Sequence, residues 1–276
     1  MSTVPSRPSA TYSGFNAAAF SMRSLSIRFP GAGHSILENL SLTVHRGEFL
    51  SLVGPSGCGK STLLRLLAGL LEPTEGTLTR ADNAAGQRNS IGFVFQHPTL
   101  LPWRTADANL QLPLELGRFR NERPLTSTER LELLNQVGLT AADAVKRPAE
   151  LSGGMQMRLS LARALATKPD VLLLDEPFAA VDDLLRLRLQ EDVRRLHEDR
   201  QLTTILVTHN LHEAVFLSDR VIVLSGTPSQ IQADIRVQTS QARGNAYRES
   251  AEFYACVKNV SASLFRLSEH VGATPA

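Results

Sequence analysis

Residues 54–61 read Gly-Pro-Ser-Gly-Cys-Gly-Lys-Ser, a glycine followed after four residues by Gly59-Lys60-Ser61. Glycines at this spacing let the backbone curl until successive N–H groups point inward. Such a nest at the start of a helix takes up phosphate oxygens. Lys60 adds a charge that can bridge the β- and γ-phosphates, and the Ser61 hydroxyl is a ligand for Mg²⁺. This chemistry needs a strand before the loop and a helix after it. Residues 48–53 are β-favouring and 61–70 carry leucines at helical spacing, so both are expected. An accidental Gly-rich turn leaves that register unexplained.

Residues 171–176, Val-Leu-Leu-Leu-Asp-Glu, supply the complementary part. An apolar run ending in a carboxylate delivers that carboxylate to the carboxyl edge of a parallel sheet, where α/β proteins place their ligands. Asp175 then holds the Mg²⁺ shell, and Glu176 is placed to polarise an attacking water. Without the phosphate loop, a solvated acidic turn is the better reading. Leu151-Ser152-Gly153-Gly154-Met155 opens a helical pattern in which Met155, Leu159, Ala162 and Ala166 repeat. Ser152 suits an N-cap, but paired glycines weaken a helix unless a ligand must approach its backbone. A second anion site and a plain capping turn both fit. Gln96 and His209 each follow a β-favouring run. Alone, each is an ordinary strand-end polar residue; beside the loop and Asp175, both belong to one sheet edge.

The elements that must position these residues are short β-favouring runs at 24–29, 40–44, 48–53, 91–95, 171–174, 203–208 and 221–224. Several are continuously apolar, as strands buried on both faces are. Between them lie helical patterns, such as 184–196 with Leu185, Leu189, Val193 and Leu196 on one face. The alternation predicts an α/β domain with a largely parallel sheet. Residues 97–167 read differently, with helical stretches at 127–137 and 154–166, and prolines at 98, 102, 113, 124 and 148. They are expected to form a helical insert between two strands. Beyond Gly226 periodicity is weak, ending in a short helix around 261–270. Residues 1–20, rich in Ser, Ala, Thr and Pro with Arg7 the only charge, read as a disordered leader rather than a signal peptide.

Composition narrows the classes further. Hydrophobic residues at 42% and charged residues at 20% argue for a sizeable core and against global disorder. Lys+Arg at 29 against Asp+Glu at 27 argues against a chain that wraps nucleic acid. The longest apolar runs, 63–71 and 171–174, fall short of the ~20 residues needed to span a bilayer. Two cysteines, Cys58 and Cys256, make neither a disulfide framework nor a metal cluster. Cys58 sits among inward-facing N–H groups beside Lys60, which favour a thiolate; the alternative is an inert spacer whose thiol points away.

Taken in order, these elements resemble the nucleotide-binding subunit of ABC transporters over about residues 24–224. Walker A is 54–61, the Q-loop is at Gln96, the signature is 151–155 and Walker B is 171–176. Ala180-Val181-Asp182 is the D-loop and His209 the switch histidine. The resemblance implies an α/β P-loop NTPase (RecA-like) core of the ABC ATPase type, with an antiparallel β subdomain and a helical insert. It divides the chain into a leader at 1–20, an ATPase domain at 21–230 with its helical subdomain at about 97–167, and a tail at 231–276. It implies ATP and Mg²⁺ as cofactors, and a homodimer in which the signature of one chain completes the ATP site of the other. Nucleotide contacts carry over to Gly54, Pro55, Ser56, Gly57, Cys58, Gly59, Lys60, Ser61 and Thr62, and to Ser152, Gly153, Gly154 and Asp182. Phe29 matches the aromatic that stacks on adenine. Ser61, Gln96 and Asp175 match the Mg²⁺ site, and Glu176, His209 and Gln96 the catalytic set.

A finer resemblance lies in Phe95-Gln96-His97-Pro98-Thr99-Leu100-Leu101-Pro102-Trp103 and in Asp175-Glu176-Pro177-Phe178. Leu-Leu-Pro-Trp just after the Q-loop is similar to the nitrate/sulfonate/taurine group of importers. That implies permease subunits in the membrane as partners, a substrate-binding protein indirectly, and a peripheral place on the cytoplasmic face of the inner membrane. Residues 100–103 would then form a docking rim for the permease; the alternative tucks Trp103 into the insert as core. Met157 stands where Gln is common and Val181 where Leu is usual, and neither change removes a phosphate, metal or water contact. A soluble ABC-type ATPase not coupled to transport is the alternative function, although such proteins usually carry tandem P-loops or coiled-coil inserts. A nucleotide switch with little turnover is opposed by Glu176.

Overall fold

A computed structural model describes residues 17–82, 90–116, 123–179 and 181–265. Its centre is a six-stranded sheet of β3 (Phe49–Val53), β5 (Ile91–Val94), β6 (Val171–Asp175), β7 (Thr203–Val207), β8 (Arg220–Ser225) and β9 (Gln230–Arg236), in the order β5-β6-β7-β3-β8-β9. The first five strands are parallel and β9 closes the edge antiparallel to β8. A separate three-stranded antiparallel sheet runs β2-β1-β4, built from β1 (Ala18–Ile27), β2 (Leu37–His45) and β4 (Glu75–Arg80).

The continuous apolar runs have a direct structural reason. Leu172 and Leu174 of β6 face one core, while Val171 and Leu173 face the other. On the second side lie the antiparallel sheet and α1 (Lys60–Leu67). On the first lie α2 (Ala106–Glu115), α3 (Ser127–Gln136), α5 (Gly153–Leu165), α6 (Asp183–Arg200), α7 (Leu211–Leu217) and α9 (Ala251–Phe265). Strand side chains alternate in direction, so a strand covered on both faces must be apolar at every position. Between β5 and β6 the described residues are helical or irregular, α4 (Ala141–Ala144) included.

Three boundaries differ from expectation. β1 begins at Ala18, which pairs with His45, and Phe20 is fully buried, so the last residues of the expected leader belong to a strand. β4 is missing from the expected strands because it is polar and mostly exposed. At Gly76 (φ 82°) it crosses β1 so closely that a Cβ would lie 2.3 Å from the Ser24 carbonyl oxygen. The expected tail at 231–276 takes in most of β9, which alternates Ile and polar residues along an exposed edge. It also contains α8 (Asn245–Arg248) and α9, whose Phe253 and Val260 are buried in the larger core. α9 starts ten residues before the helix expected at 261–270, and residues 266–270 lie outside the described residues.

Candidate active site

β3 delivers the phosphate loop. A Cβ at Gly54 would lie 2.2 Å from the Leu224 carbonyl oxygen of β8, so only glycine lets the chain leave the sheet there. Gly59, at φ 91°, caps α1 in the left-handed region that favours glycine. A Cβ there would strike Ile36 Cγ2 at 2.7 Å and Leu37 Cδ2 at 2.8 Å, so the start of β2 packs directly on the loop. Pro55, Ser56 and Gly57 are exposed. Lys60 is buried and donates from Nζ to the carbonyl oxygens of Gly54 (2.9 Å) and Pro55 (2.7 Å). Thr62 is half-buried in the first turn of α1.

Cys58 departs from the reactive-thiol expectation. Its side chain is 8% exposed and belongs to the core on the α1 side. Its Sγ lies 3.8 Å from Lys60 Nζ, but the thiol is turned into the fold and away from reagents in solvent. Cys256 is half-buried, and burial pushes its thiol up.

Four segments from neighbouring strands meet at the carboxyl edge. The Ser61 hydroxyl donates to Asp175 Oδ1 at 2.8 Å. Gln96 Nε2 donates to Glu176 Oε2 at 3.4 Å, and His209 Nδ1 lies 3.3 Å from the same oxygen. Glu176 is held at φ 47°, with its N–H donated to the Val207 carbonyl at 2.9 Å. A side chain held in the left-handed region at the end of a central strand is pinned by its surroundings. One carboxylate oxygen, on the segment that follows β6, thus collects groups that follow β5 and β7.

Burial pushes the Asp175 carboxyl up, opposed by the Ser61 hydroxyl and the charges of Arg65 and Lys60. For an acid shifted this way, the stabilising contribution is full below its unfolded pKa near 3.8 and is lost as pH rises through the folded value. At neutral pH, well above the unfolded value, part or all of that contribution is gone. Asp175→Asn, which can still accept from Ser61, is expected to raise the melting temperature of the chain at pH 7. A lower melting temperature would contradict this electrostatic reading.

Other expected site residues lie elsewhere. Ser152 caps α5, accepting from the Met155 N–H at 3.3 Å. Gly154 packs toward Val181, whose methyl groups would lie 3.7 and 3.9 Å from a Cβ there. Among the described residues, no hydrogen bond joins 152–154 to 54–61. Asp182 caps α6 through Leu185 N–H at 3.1 Å, and Ala180 lies outside the described residues. Phe29 is 37% exposed on the loop that leads from β1 to Ile36.

Sequence reasoning missed two buried polar residues that organise the segment after Gln96. Arg163 of α5 donates to the Thr99 carbonyl (2.6 Å) and hydroxyl (2.8 Å). Asn109 of α2 is fully buried. It accepts from Leu101 N–H at 2.8 Å and donates to the carbonyls of Leu101, Arg104 and Thr105. A polar residue on a helix face carries no local sign of such distant partners.

The family model described as "ABC transporter" matches residues 37–179. The chain belongs to the ABC transporter family. The aliphatic sulfonates import ATP-binding protein of Pseudomonas savastanoi pv. phaseolicola is 43% identical over 207 residues, 75% of this chain and 81% of that protein. The nitrate import ATP-binding protein of Synechococcus elongatus is 45% identical over 207 residues, 72% of this chain but 30% of that longer protein. Among solved structures, the ATP-binding cassette MJ0796 in a dimeric post-hydrolysis state bound to ADP and Pi is similar with a TM-score of 0.69. It is 31% identical, over 80% of this chain and 99% of that one. As an ABC cassette the chain is an ATPase, and the two import proteins just named belong to the sulfonate and nitrate import group that the 95–103 segment resembles.

Proposed function

We propose that two copies of this chain hydrolyse Mg²⁺-ATP at sites they complete for each other, and so power import of a small solute through a membrane permease. The observation that carries the reading is the convergence of Gln96 and His209 on Glu176 Oε2, beside the Ser61–Asp175 pair. Glu176 orients and polarises the attacking water, and His209 helps hold its carboxylate in place. Lys60, resting on the Gly54 and Pro55 carbonyls, turns to the phosphates when they occupy the loop. A hydroxyl and a buried carboxylate 2.8 Å apart, those of Ser61 and Asp175, are hard oxygen donors that would suit Mg²⁺. When bound, the ion neutralises charge on the β- and γ-oxygens. The test is phosphate release by the purified chain. It should require Mg²⁺ and ATP, and its absence would remove the reading.

Ser152, Gly153 and Gly154 make no described hydrogen bond to their own chain's loop, which supports their use by a second copy, with Asp182 beside them. Phe29 remains the proposed adenine contact. Among the described residues no helix is long and apolar enough to cross a membrane, so in this reading the chain sits against permease subunits at the cytoplasmic face. A substrate-binding protein supplies the cargo from the far side, and nucleic acid has no part.

The docking rim receives support from exposure. Trp103 is 69% exposed, whereas the segment carrying it is stapled by Asn109 and Arg163. A large apolar ring presented on an already ordered loop gives an interface anchor that loses little freedom on binding. Trp103→Ala is expected to weaken permease binding by at least ~2 kcal/mol, about 30-fold. Thermal stability and basal ATPase of the free subunit should stay near wild type, since exposed substitutions usually fall within ~0.5 kcal/mol. Early unfolding of the variant, or undiminished permease binding, would exclude the docking role.

A further inference from the structure

Behind the site lies a buried carboxylate that the hydrolytic chemistry leaves without a role. Glu213, in the first turn of α7, is 6% exposed. Its Oε2 accepts from the Thr208 hydroxyl at 2.7 Å, and Thr208 Oγ1 accepts in turn from the Asn210 N–H at 3.0 Å. Thr208 is itself 2% exposed and donates its N–H to the Leu52 carbonyl of β3 at 3.3 Å. The turn bearing His209 is thus gripped on both sides of the histidine. The other oxygen, Glu213 Oε1, faces Arg186 Nε of α6 at 3.8 Å. That guanidinium donates to the carbonyls of Phe178 (3.2 Å) and Val181 (2.7 Å), which lie just after Glu176 in the chain.

We infer that Thr208, Glu213 and Arg186 form a positioning relay that ties the segment 178–181 to the His209 turn, so that a shift in one resets the other. The inference rests on the ATPase reading above. A buried carboxylate is a poor core stabiliser, because desolvation offsets much of what its pairing gains. Burial does push the Glu213 carboxyl up. What the arrangement does provide is register. One carboxylate holds two loops that flank Glu176, and one of those loops leads into Asp182, where a second copy would bear. Contact by that copy could then reach His209 without touching it.

The test separates geometry from stability. Thr208→Val keeps the shape and removes the hydroxyl, whereas Thr208→Ser keeps the hydroxyl. In the full chain, Thr208→Val is expected to lower kcat about 10- to 100-fold, as sub-ångström to ångström misplacement does, with KM for ATP unchanged. In the nucleotide-free protein the His209 ring resonance, assigned by its loss in His209→Ala, should shift. Thr208→Ser should restore both readouts. Arg186→Met, which spares the turn itself, should move the same resonance and serves if Thr208→Val does not fold. Wild-type kcat with an unmoved His209 signal in these variants overturns the relay while leaving the ATPase reading intact. Failure of Thr208→Ser to restore either readout also overturns it, since the role would then be packing. If the wild-type chain releases no phosphate, or His209→Ala turns over normally, the ATPase reading fails first and the relay with it.

Discussion

Replacing Glu176 with Gln is expected to cut ATP hydrolysis by ~10²–10⁴-fold while leaving ATP binding intact. Gln has the size of Glu and one oxygen that can still receive Gln96 Nε2 and face His209 Nδ1, so the local geometry of 3.4 and 3.3 Å can persist. What it lacks is the charge that orients and polarises water. Backbone effects should be small, because the left-handed conformation at 176 (φ 47°) and the bond to Val207 belong to the main chain. With ATP bound and not consumed, the variant should collect as a dimer on size-exclusion chromatography. Near-normal phosphate release would remove Glu176 from the chemistry.

The second large effect is on the fold. Gly54→Ala should destabilise the chain by about 3 kcal/mol or more, from overpacking in a rigid core. The new methyl group would lie 2.2 Å from the Leu224 oxygen and 3.1 Å from its carbonyl carbon. Those are backbone atoms of a strand paired with β3 at Leu52↔Ile222 and Val53↔Val223, so neither side can yield cheaply. The phosphate loop begins at this residue, so any displacement that relieves the clash also misaims Lys60. Gly33→Ala is the matched control, since a Cβ there meets nothing within 4 Å, and it should stay within ~0.5 kcal/mol of wild type. Urea denaturation reads both. Equal midpoints for Gly54→Ala and wild type would show that the two strands do not constrain the loop.

Much of the sheet edge is readable because chemistry and burial leave the same mark. The run 171–174 is apolar at successive positions, since β6 is covered on both faces, and the first charge after it, Asp175, falls at the site. The Gly-rich loop is readable for a similar reason, as Gly54 and Gly59 each meet neighbours that exclude a side chain. Strands without that mark escape notice. β4 is exposed and polar, and β9 is an edge strand with one half-buried face. The start of β1 is hidden in a stretch of small residues that reads as leader. Orientation is the other loss. The direction of the Cys58 thiol depends on backbone angles at the flanking glycines, and the exposure of Trp103 on staples that no spacing announces. Arg163 meets Thr99 across 64 positions of sequence, and Thr208 meets Glu213 through a turn whose residues would suit any helix start.

The central claim is that each ATP site needs two copies of this chain. Mixing two inactive variants tests it most directly: Lys60→Ala, which spoils the loop, and Gly153→Asp, which puts a carboxylate at the start of α5 where phosphate should approach. In a mixed dimer one site combines both defects, while the other pairs an intact loop with an intact signature. The mixture is expected to release phosphate at a rate that neither variant reaches alone. A mixture as inactive as its separate components would contradict a shared site.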